Sequence, residues 1–176
     1  LKNYFTGGIK MKRQQFIILR GNPATGKSTI AEELRKNFNK KTAVIHTIVF
    51  YFQIVNGDSP EIAMENTRRI VDNYLKNGYN VILEGTLSYK DKKGKLYLDN
   101  FIKLGNKYNI NAKVFFLKAD LNVLINREKK RKLISLNRLK YLYNITNKSK
   151  NNKDIFIDTT KISIEVVIKK IKGALK

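Results

Sequence analysis

The sequence contains no cysteine, so neither a disulfide framework nor a thiolate metal site is available to it. It also has no apolar run close to 18 residues in length, which excludes a membrane-spanning helix. Its first ten residues lack the apolar segment of a secretory signal peptide. From these absences we expect a cytoplasmic protein.

The chain begins with Leu1, and Met11 stands just before the first apolar segment. Gly7 and Gly8 can be encoded by GGAGG, the form of a ribosome-binding site. We therefore expect Met11 to be the natural start and residues 1–10 to be a non-native extension. Residues 11–176 are then expected to form a single domain, and 42% hydrophobic content is enough for a substantial core.

Acidic residues are scarce, since 14 Asp and Glu face 36 Lys and Arg and the formal net charge is +22. Residues 1–88 carry a net charge of +6, and residues 89–176 carry +16. This distribution favours a nucleic acid as a partner. The alternative is genomic: Lys, Asn and Ile supply 69 of 176 residues, as expected from an AT-rich genome, and lysines then accumulate on solvated faces without a partner.

One nine-residue segment has the phosphate-loop pattern G-x-x-x-x-G-K-S: Gly21-Asn22-Pro23-Ala24-Thr25-Gly26-Lys27-Ser28-Thr29. It stands between an apolar run and a helical pattern that extends from about Gly26 to Asn39, as a phosphate loop requires. Gly21 and Gly26 permit a tight turn that points backbone N–H groups at a phosphate, and the helix N-terminus adds partial positive charge. Lys27 is then placed to reach the β- and γ-phosphates of ATP, and Ser28 to bind Mg²⁺.

Apolar runs and turn residues predict five strands that alternate with helices. The predicted strands cover residues 16–20, 42–46, 80–84, 112–118 and 154–158, and the later helices cover about 60–76, 96–108, 121–143 and 164–175. Ser59, Asp120 and Ser163 occupy the predicted caps, and residues 144–153 are predicted to be a polar loop. The alternation predicts an α/β fold of the P-loop NTPase type, with three α/β/α layers and a mostly parallel five-stranded sheet. We expect the ligand site outside the carboxyl ends of the strands.

Three charged residues are the further candidates for catalysis. Glu84 ends the third predicted strand, where a carboxylate can orient Mg²⁺ or an attacking group; the alternative is a surface carboxylate. Arg127 and Arg131 are four residues apart, so they share a helix face and can neutralise charge on a transferred γ-phosphoryl group. The neighbouring lysines also fit a basic helix that is merely solvated.

Three other polar residues lie at the ends of strands or in turns. His46 is the only histidine, and a structural role is expected for it. Asp58 is expected to serve the turn before a helix. Asp158 ends the last predicted strand, and its loop is expected to pack around the adenine.

Residues 16–21, leading into the phosphate loop, resemble the small P-loop kinases of the AAA_33-like group, which includes zeta toxin, chloramphenicol phosphotransferase and polynucleotide kinase. The sequence VILEGT at 81–86 resembles a strand of uncharacterised members, residues 127–131 fall where those proteins carry lid arginines, and residues 157–167 resemble their closing strand and helix. The resemblance implies ATP-dependent transfer of the γ-phosphoryl group, with Mg²⁺, to a hydroxyl of a small molecule. The alternatives are a polynucleotide or RNA kinase, and a nucleotide-binding regulatory protein without efficient transfer.

The sequence departs from this family just after the second predicted strand. The family usually carries an acidic base there, often with an arginine a few residues later, whereas residues 46–52 are HTIVFYF. Either His46, Asp58 or Glu84 has taken the role toward the acceptor, or the protein transfers phosphate poorly. The acceptor pocket is expected to be built from residues 48–66 and 86–97, and the aromatic residues at 50–52 either line it or belong to the core.

Overall fold

The computed structural model describes residues 13–38, 41–54 and 56–175, so Met11 and the proposed extension 1–10 lie outside the described residues. The strands are β1 (Phe16–Gly21), β2 (Thr42–His46), β3 (Asn80–Glu84), β4 (Lys113–Lys118) and β5 (Asp154–Asp158). The α-helices are α1 (Lys27–Lys36), α2 (Pro60–Lys76), α3 (Tyr97–Lys107), α4 (Leu121–Arg131), α5 (Leu136–Lys148) and α6 (Ile164–Ala174), and a short π-helix (Val49–Ile54) follows β2.

The five strands form one sheet in the order β2-β3-β1-β4-β5. Each neighbouring pair is parallel, so the sheet is parallel throughout where the sequence predicted a mostly parallel one. β1 lies at the centre, and all six of its residues are buried, which explains its unbroken apolar sequence. The predicted α/β fold class is confirmed.

Alternate side chains of β1 enter two separate cores, because successive residues of a strand point to opposite faces. Ile17 and Leu19 pack with α1 and α6 on one face of the sheet. Phe16 and Ile18 pack with α2 and α3 on the other face. The sheet is therefore the middle of three layers. No helix in the described ranges is long and apolar enough to cross a membrane.

The basic stretch predicted as one helix to Tyr143 is instead two helices. Lys132 adopts a left-handed backbone with φ of 54°, which ends α4, and Ser135 starts α5 by accepting a hydrogen bond from the Arg138 backbone N–H at 3.2 Å. α5 continues to Lys148, through half of the predicted polar loop, because one of its faces is buried against α4 and the phosphate loop.

The other predicted helix ends differ only locally. α1 ends at Lys36 rather than near Asn39, which lies outside the described residues. Of the predicted caps, Ser59 accepts a hydrogen bond from Ile62 N at 3.3 Å, whereas Asp120 and Ser163 stand at the capping positions without a side-chain capping bond.

Candidate functional site

The phosphate loop connects β1 to α1 at the carboxyl edge of the sheet. Gly21 has φ of 128°, and a Cβ atom at this position would lie 2.1 Å from the carbonyl oxygen of Leu117 in β4. Gly26 has φ of 86° and stands at the N-cap of α1. Asn22 N donates to Leu117 O at 3.1 Å. Both glycines are therefore required by the backbone, and the loop is anchored to the neighbouring strand.

The Lys27 side chain lies along the inside of this loop. Its Nζ donates to the carbonyl oxygens of Asn22 at 2.7 Å and Gly21 at 3.2 Å. Burial lowers the pKa of Lys27 to about 8, while Glu84 raises it and Arg131 lowers it further. Lys27 is thus a buried ammonium group at the point where the loop backbone converges.

The remaining residues of the loop hold its shape or face outward. Pro23 and Ala24 are buried, and Thr25 Oγ1 donates to Asn22 O at 2.8 Å. Ser28 and Thr29, at the start of α1, are exposed. The loop therefore combines a fixed backbone with two hydroxyls that are open to a ligand.

Glu84 lies at the centre of a polar group formed by the ends of β2, β3 and α1. Ser28 Oγ donates to Glu84 Oε1 at 3.2 Å, and His46 Nδ1 lies 2.7 Å from the same oxygen. Glu84 is only 4% exposed. His46 and Glu84 are register partners in the pairing of β2 with β3, which explains why the two side chains meet.

This arrangement changes the interpretation of His46. The hydrogen bond to Glu84 raises the pKa of His46 above its usual value, although partial burial opposes the shift. His46 Nε2 also lies 3.4 Å from Glu32 Oε1. The histidine expected to be structural therefore contacts the candidate site, whereas Asp58 is exposed in the turn before α2.

The oxygen pair of Ser28 and Glu84 fits Mg²⁺ rather than a transition metal. Within the described ranges, no three His, Cys, Asp or Glu side chains form a group that could hold a metal ion. Mg²⁺ at nucleotide sites takes one or two protein oxygens and completes its shell with phosphates and water, so a two-oxygen site meets this requirement.

The two arginines of α4 have different partners. Arg127 donates from Nη2 to Thr159 O at 2.7 Å and from Nη1 to Thr159 Oγ1 at 3.2 Å, in the segment after β5. Arg131 donates to the carboxylate of Glu128. Asp158 precedes Thr159, and hydrogen bonds from Thr160 lower its pKa. Arg127 therefore links α4 to the segment after β5, and the charge of Arg131 contributes to the lowered pKa of Lys27 in the phosphate loop.

Glu128 is a residue that sequence reasoning missed. It is buried, and its Oε1 accepts hydrogen bonds from Leu133 N at 2.7 Å and Ile134 N at 2.8 Å. Burial by itself raises the pKa of a carboxyl group, but the hydrogen bonds from Ile134, Arg131 and Leu133 outweigh it and lower the pKa of Glu128. Its signal in the sequence was that it is the only acidic residue between positions 121 and 143.

Arg20 and Asp154 form a second feature that sequence reasoning missed. Both side chains have 0% exposure, and Arg20 Nη1 lies 2.9 and 2.8 Å from the two carboxylate oxygens of Asp154. Arg20 Nη2 donates to the carbonyl and hydroxyl oxygens of Ser149. Burial lowers the pKa of Arg20, and Asp154 opposes the shift. The signal was a charged residue in an apolar strand, directly before the phosphate loop.

Comparison with solved structures shows the same fold in several kinases. The chain aligns with a Sinorhizobium meliloti gluconokinase over 93% of each chain, with a TM-score of 0.67 and 12% identity. It aligns with an Aquifex aeolicus shikimate kinase over 92% of this chain and 96% of that one, with a TM-score of 0.60 and 18% identity. A Deinococcus radiodurans tunicamycin resistance protein aligns over 93% and 96%, with a TM-score of 0.66 and 15% identity. At these identities the likeness concerns the fold.

A family model supplies the sequence-level assignment. The AAA_33 model, described as an AAA domain, matches residues 16–140, which is more than two thirds of the chain. The matched region contains β1, the phosphate loop, Glu84 and the α4 arginines. The chain therefore belongs to the AAA_33 family, and its fold is that of the P-loop kinases.

Proposed function

We propose that this protein is an ATP-dependent phosphotransferase that moves the γ-phosphoryl group to a hydroxyl of a small molecule. The observation that carries the proposal is the phosphate loop, in which a buried Lys27 lies beside the Ser28–Glu84 oxygen pair. The kinase folds of the gluconokinase and the shikimate kinase support the reaction class. ATP and Mg²⁺ are the cofactors that this arrangement fits, and the cytoplasm supplies both.

Each polar group of the site has a distinct part in the proposed reaction. The loop amides and Lys27 hold the β- and γ-phosphates, since both present positive charge to the same place. Ser28 and Glu84 hold Mg²⁺, which supplies neutralising charge to the phosphate oxygens when bound. Arg127 and Arg131 close over the nucleotide on α4 as a lid.

The proposed transfer exchanges one bond of the γ-phosphorus for another. A bond forms between the acceptor hydroxyl oxygen and the γ-phosphorus, and the bond from that phosphorus to the bridging oxygen of ADP breaks. The hydroxyl proton passes to solvent. Phosphoryl transfer depends mainly on positioning and charge stabilisation, so the missing carboxylate after β2 does not preclude it.

The test is transfer of label from γ-labelled ATP to size-fractionated cell extract. We expect the wild-type protein to label an acceptor in the small-molecule fraction, and the Lys27→Ala variant to lose this by orders of magnitude. Lys36→Ala is the matched control, because Lys36 is exposed at the other end of α1. Normal turnover by Lys27→Ala would refute the assignment.

The same experiment separates the proposal from its two rivals. Label in the RNA fraction would support a polynucleotide kinase, which the net charge of +16 in residues 89–176 favours. ATP binding without label on any acceptor would support a regulatory protein, which the absence of a carboxylate at residues 46–52 favours.

A further inference from the structure

Most arginines of the described chain are paired with carboxylates. Ion pairs are formed by Arg20, Arg35, Arg68, Arg69 and Arg131. Among the described residues, no carboxylate lies within ion-pair distance of the two half-buried arginines Arg127 and Arg138. A guanidinium that is partly removed from water without a counter-charge favours binding of an anion.

Arg138 is surrounded by tyrosines instead. Its Nη2 donates to Tyr89 Oη at 3.1 Å, and its guanidinium lies 5.2 Å from the centre of the Tyr141 ring. The rings of Tyr89 and Tyr51 have centroids 5.8 Å apart and are tilted by 31°. Burial raises the pKa of Tyr89, Arg138 opposes this shift, and the proximity of Tyr51 and Tyr141 adds to it. The four side chains therefore form one group, which we call the Tyr-Arg cluster: Tyr51, Tyr89, Arg138 and Tyr141.

The helix that carries Arg138 and Tyr141 packs against the phosphate loop, since Leu139 of α5 contacts the core cluster that contains Ala24. Tyr51 follows His46 by five residues, and Tyr89 follows Glu84 by five residues, so both belong to segments that leave the sheet at the Glu84 group. Arg138 reaches them from α5, just after the α4 lid. Arg127 contacts the segment after β5, at the opposite edge of the sheet. The two unpaired guanidinium groups are thus divided between the two sides of the site.

We propose that the Tyr-Arg cluster is the acceptor subsite and that it takes a planar aromatic acceptor carrying a negatively charged group. The guanidinium of Arg138 binds the anion, and the tyrosine rings stack against the planar group. A nucleotide has this chemistry, either free or at the end of a nucleic-acid strand. The proposal rests on the proposed phosphotransferase function, since it names the substrate class of the same site.

The test compares four hydroxyl-bearing probes that separate the ring from the charge. A nucleoside 3′-monophosphate has both, the parent nucleoside has the ring alone, glycerol phosphate has the charge alone, and ribose has neither. We expect kcat/KM to be highest for the 3′-monophosphate, by about 10- to 100-fold over the nucleoside and by a similar factor over glycerol phosphate. An oligonucleotide that ends in the same nucleoside shows whether the acceptor is free or polymeric.

Variants of Arg138 and Tyr141 test whether Arg138 binds the negatively charged group of the acceptor. Arg138→Gln should lower kcat/KM for the 3′-monophosphate by about 10- to 100-fold and so remove its preference over the nucleoside. Arg138→Lys keeps the charge and loses the planar fork, so it should retain part of that preference. Tyr141→Leu should weaken the binding of every probe that carries an aromatic ring. Arg69→Gln is the matched control, because Arg69 is exposed on α2. Circular dichroism and thermal unfolding check that each variant folds.

Binding measurements separate failure of this proposal from failure of the proposed function. Binding of the 3′-monophosphate is measured with ADP saturating the phosphate loop. Arg138-dependent binding without transfer would support the subsite and contradict the phosphotransferase. Equal transfer to all four probes, or a preference unchanged in Arg138→Gln, would overturn the subsite while the phosphotransferase stands. If the 3′-monophosphate and the oligonucleotide show no binding and no transfer, the subsite proposal is overturned as well.

Discussion

Replacing Asp154 with Asn tests whether the buried ion pair with Arg20 holds β5 against the strand that carries the phosphate loop. Both side chains have 0% exposure, and Asp154 accepts from Arg20 Nη1 through both carboxylate oxygens. Asp154 Oδ2 also accepts from Asn151 N at 3.0 Å. The substitution keeps the shape of the side chain but leaves the Arg20 charge buried without a counter-charge.

The expected loss in the free energy of unfolding follows from this geometry. Removing one partner of a buried pair typically costs about 3–5 kcal/mol. The amide oxygen that the Asp154→Asn substitution introduces can still accept one hydrogen bond, so we expect the lower end, about 3 kcal/mol. For a chain of this size, each kcal/mol lowers Tm by about 2–4 °C, which gives a decrease of about 6–12 °C.

The assay is urea unfolding with parallel calorimetry, and the matched control is Glu33→Gln. Glu33 makes an exposed pair with Lys36 on α1, so the same carboxylate-to-amide change should cost at most about 0.5 kcal/mol. The double variant Arg20→Met with Asp154→Leu should recover most of the lost stability, because no charge is then buried. A cost for Asp154→Asn equal to that of Glu33→Gln would refute the reasoning.

Two further predictions concern the phosphate loop. Gly21→Ala places a Cβ atom 2.1 Å from the carbonyl oxygen of Leu117, at a backbone φ of 128°, so this variant should lose both nucleotide binding and stability. The control is Gly173→Ala, because a Cβ atom at Gly173 meets no atom within 4 Å. In urea unfolding, the control should be neutral or stabilising by up to about 1 kcal/mol. Lys27 has a pKa of about 8 and attracts phosphate only when protonated, so ATP affinity measured by equilibrium dialysis should fall as the pH rises from 8 to 9. Lys27→Met should abolish this pH dependence, and wild-type affinity that stays constant to pH 9 would contradict the low pKa.

The fold was predictable because its signals are local. Five apolar runs and the turn residues between them define the strands, and the phosphate loop places β1 next to α1. The helix break at Lys132 was missed although its signals are local: Ser135 caps α5, and Glu128 accepts hydrogen bonds from the backbone of Leu133 and Ile134. The continuation of α5 to Lys148 was not predicted, because it depends on tertiary packing that buries Thr146.

The sequence predicted the local geometry of the phosphate loop but not the Tyr-Arg cluster. The residues of the phosphate loop are consecutive, so the sequence motif alone predicts the conformation of the loop. The Tyr-Arg cluster combines residues from the π-helix, the segment after β3 and α5, and no spacing in the sequence indicates that they meet. The sequence named His46 as one candidate on the acceptor side, but its contact with Glu84 was not predicted, because that contact depends on the register of β2 with β3.

The structure shows where the positive charge of the described residues lies. An AT-rich genome adds lysines, and many of the lysines here are exposed on helices or loops, as a compositional origin predicts. The arginines behave differently, since one is buried beside the phosphate loop, others pair with carboxylates, and the two unpaired half-buried ones border opposite sides of the candidate site. Arginine's planar fork is suited to fixed, bidentate contacts, whereas lysine acts as a solvated point charge. We therefore base the proposed recognition of a partner on the positions of Arg127 and Arg138 and not on the net charge.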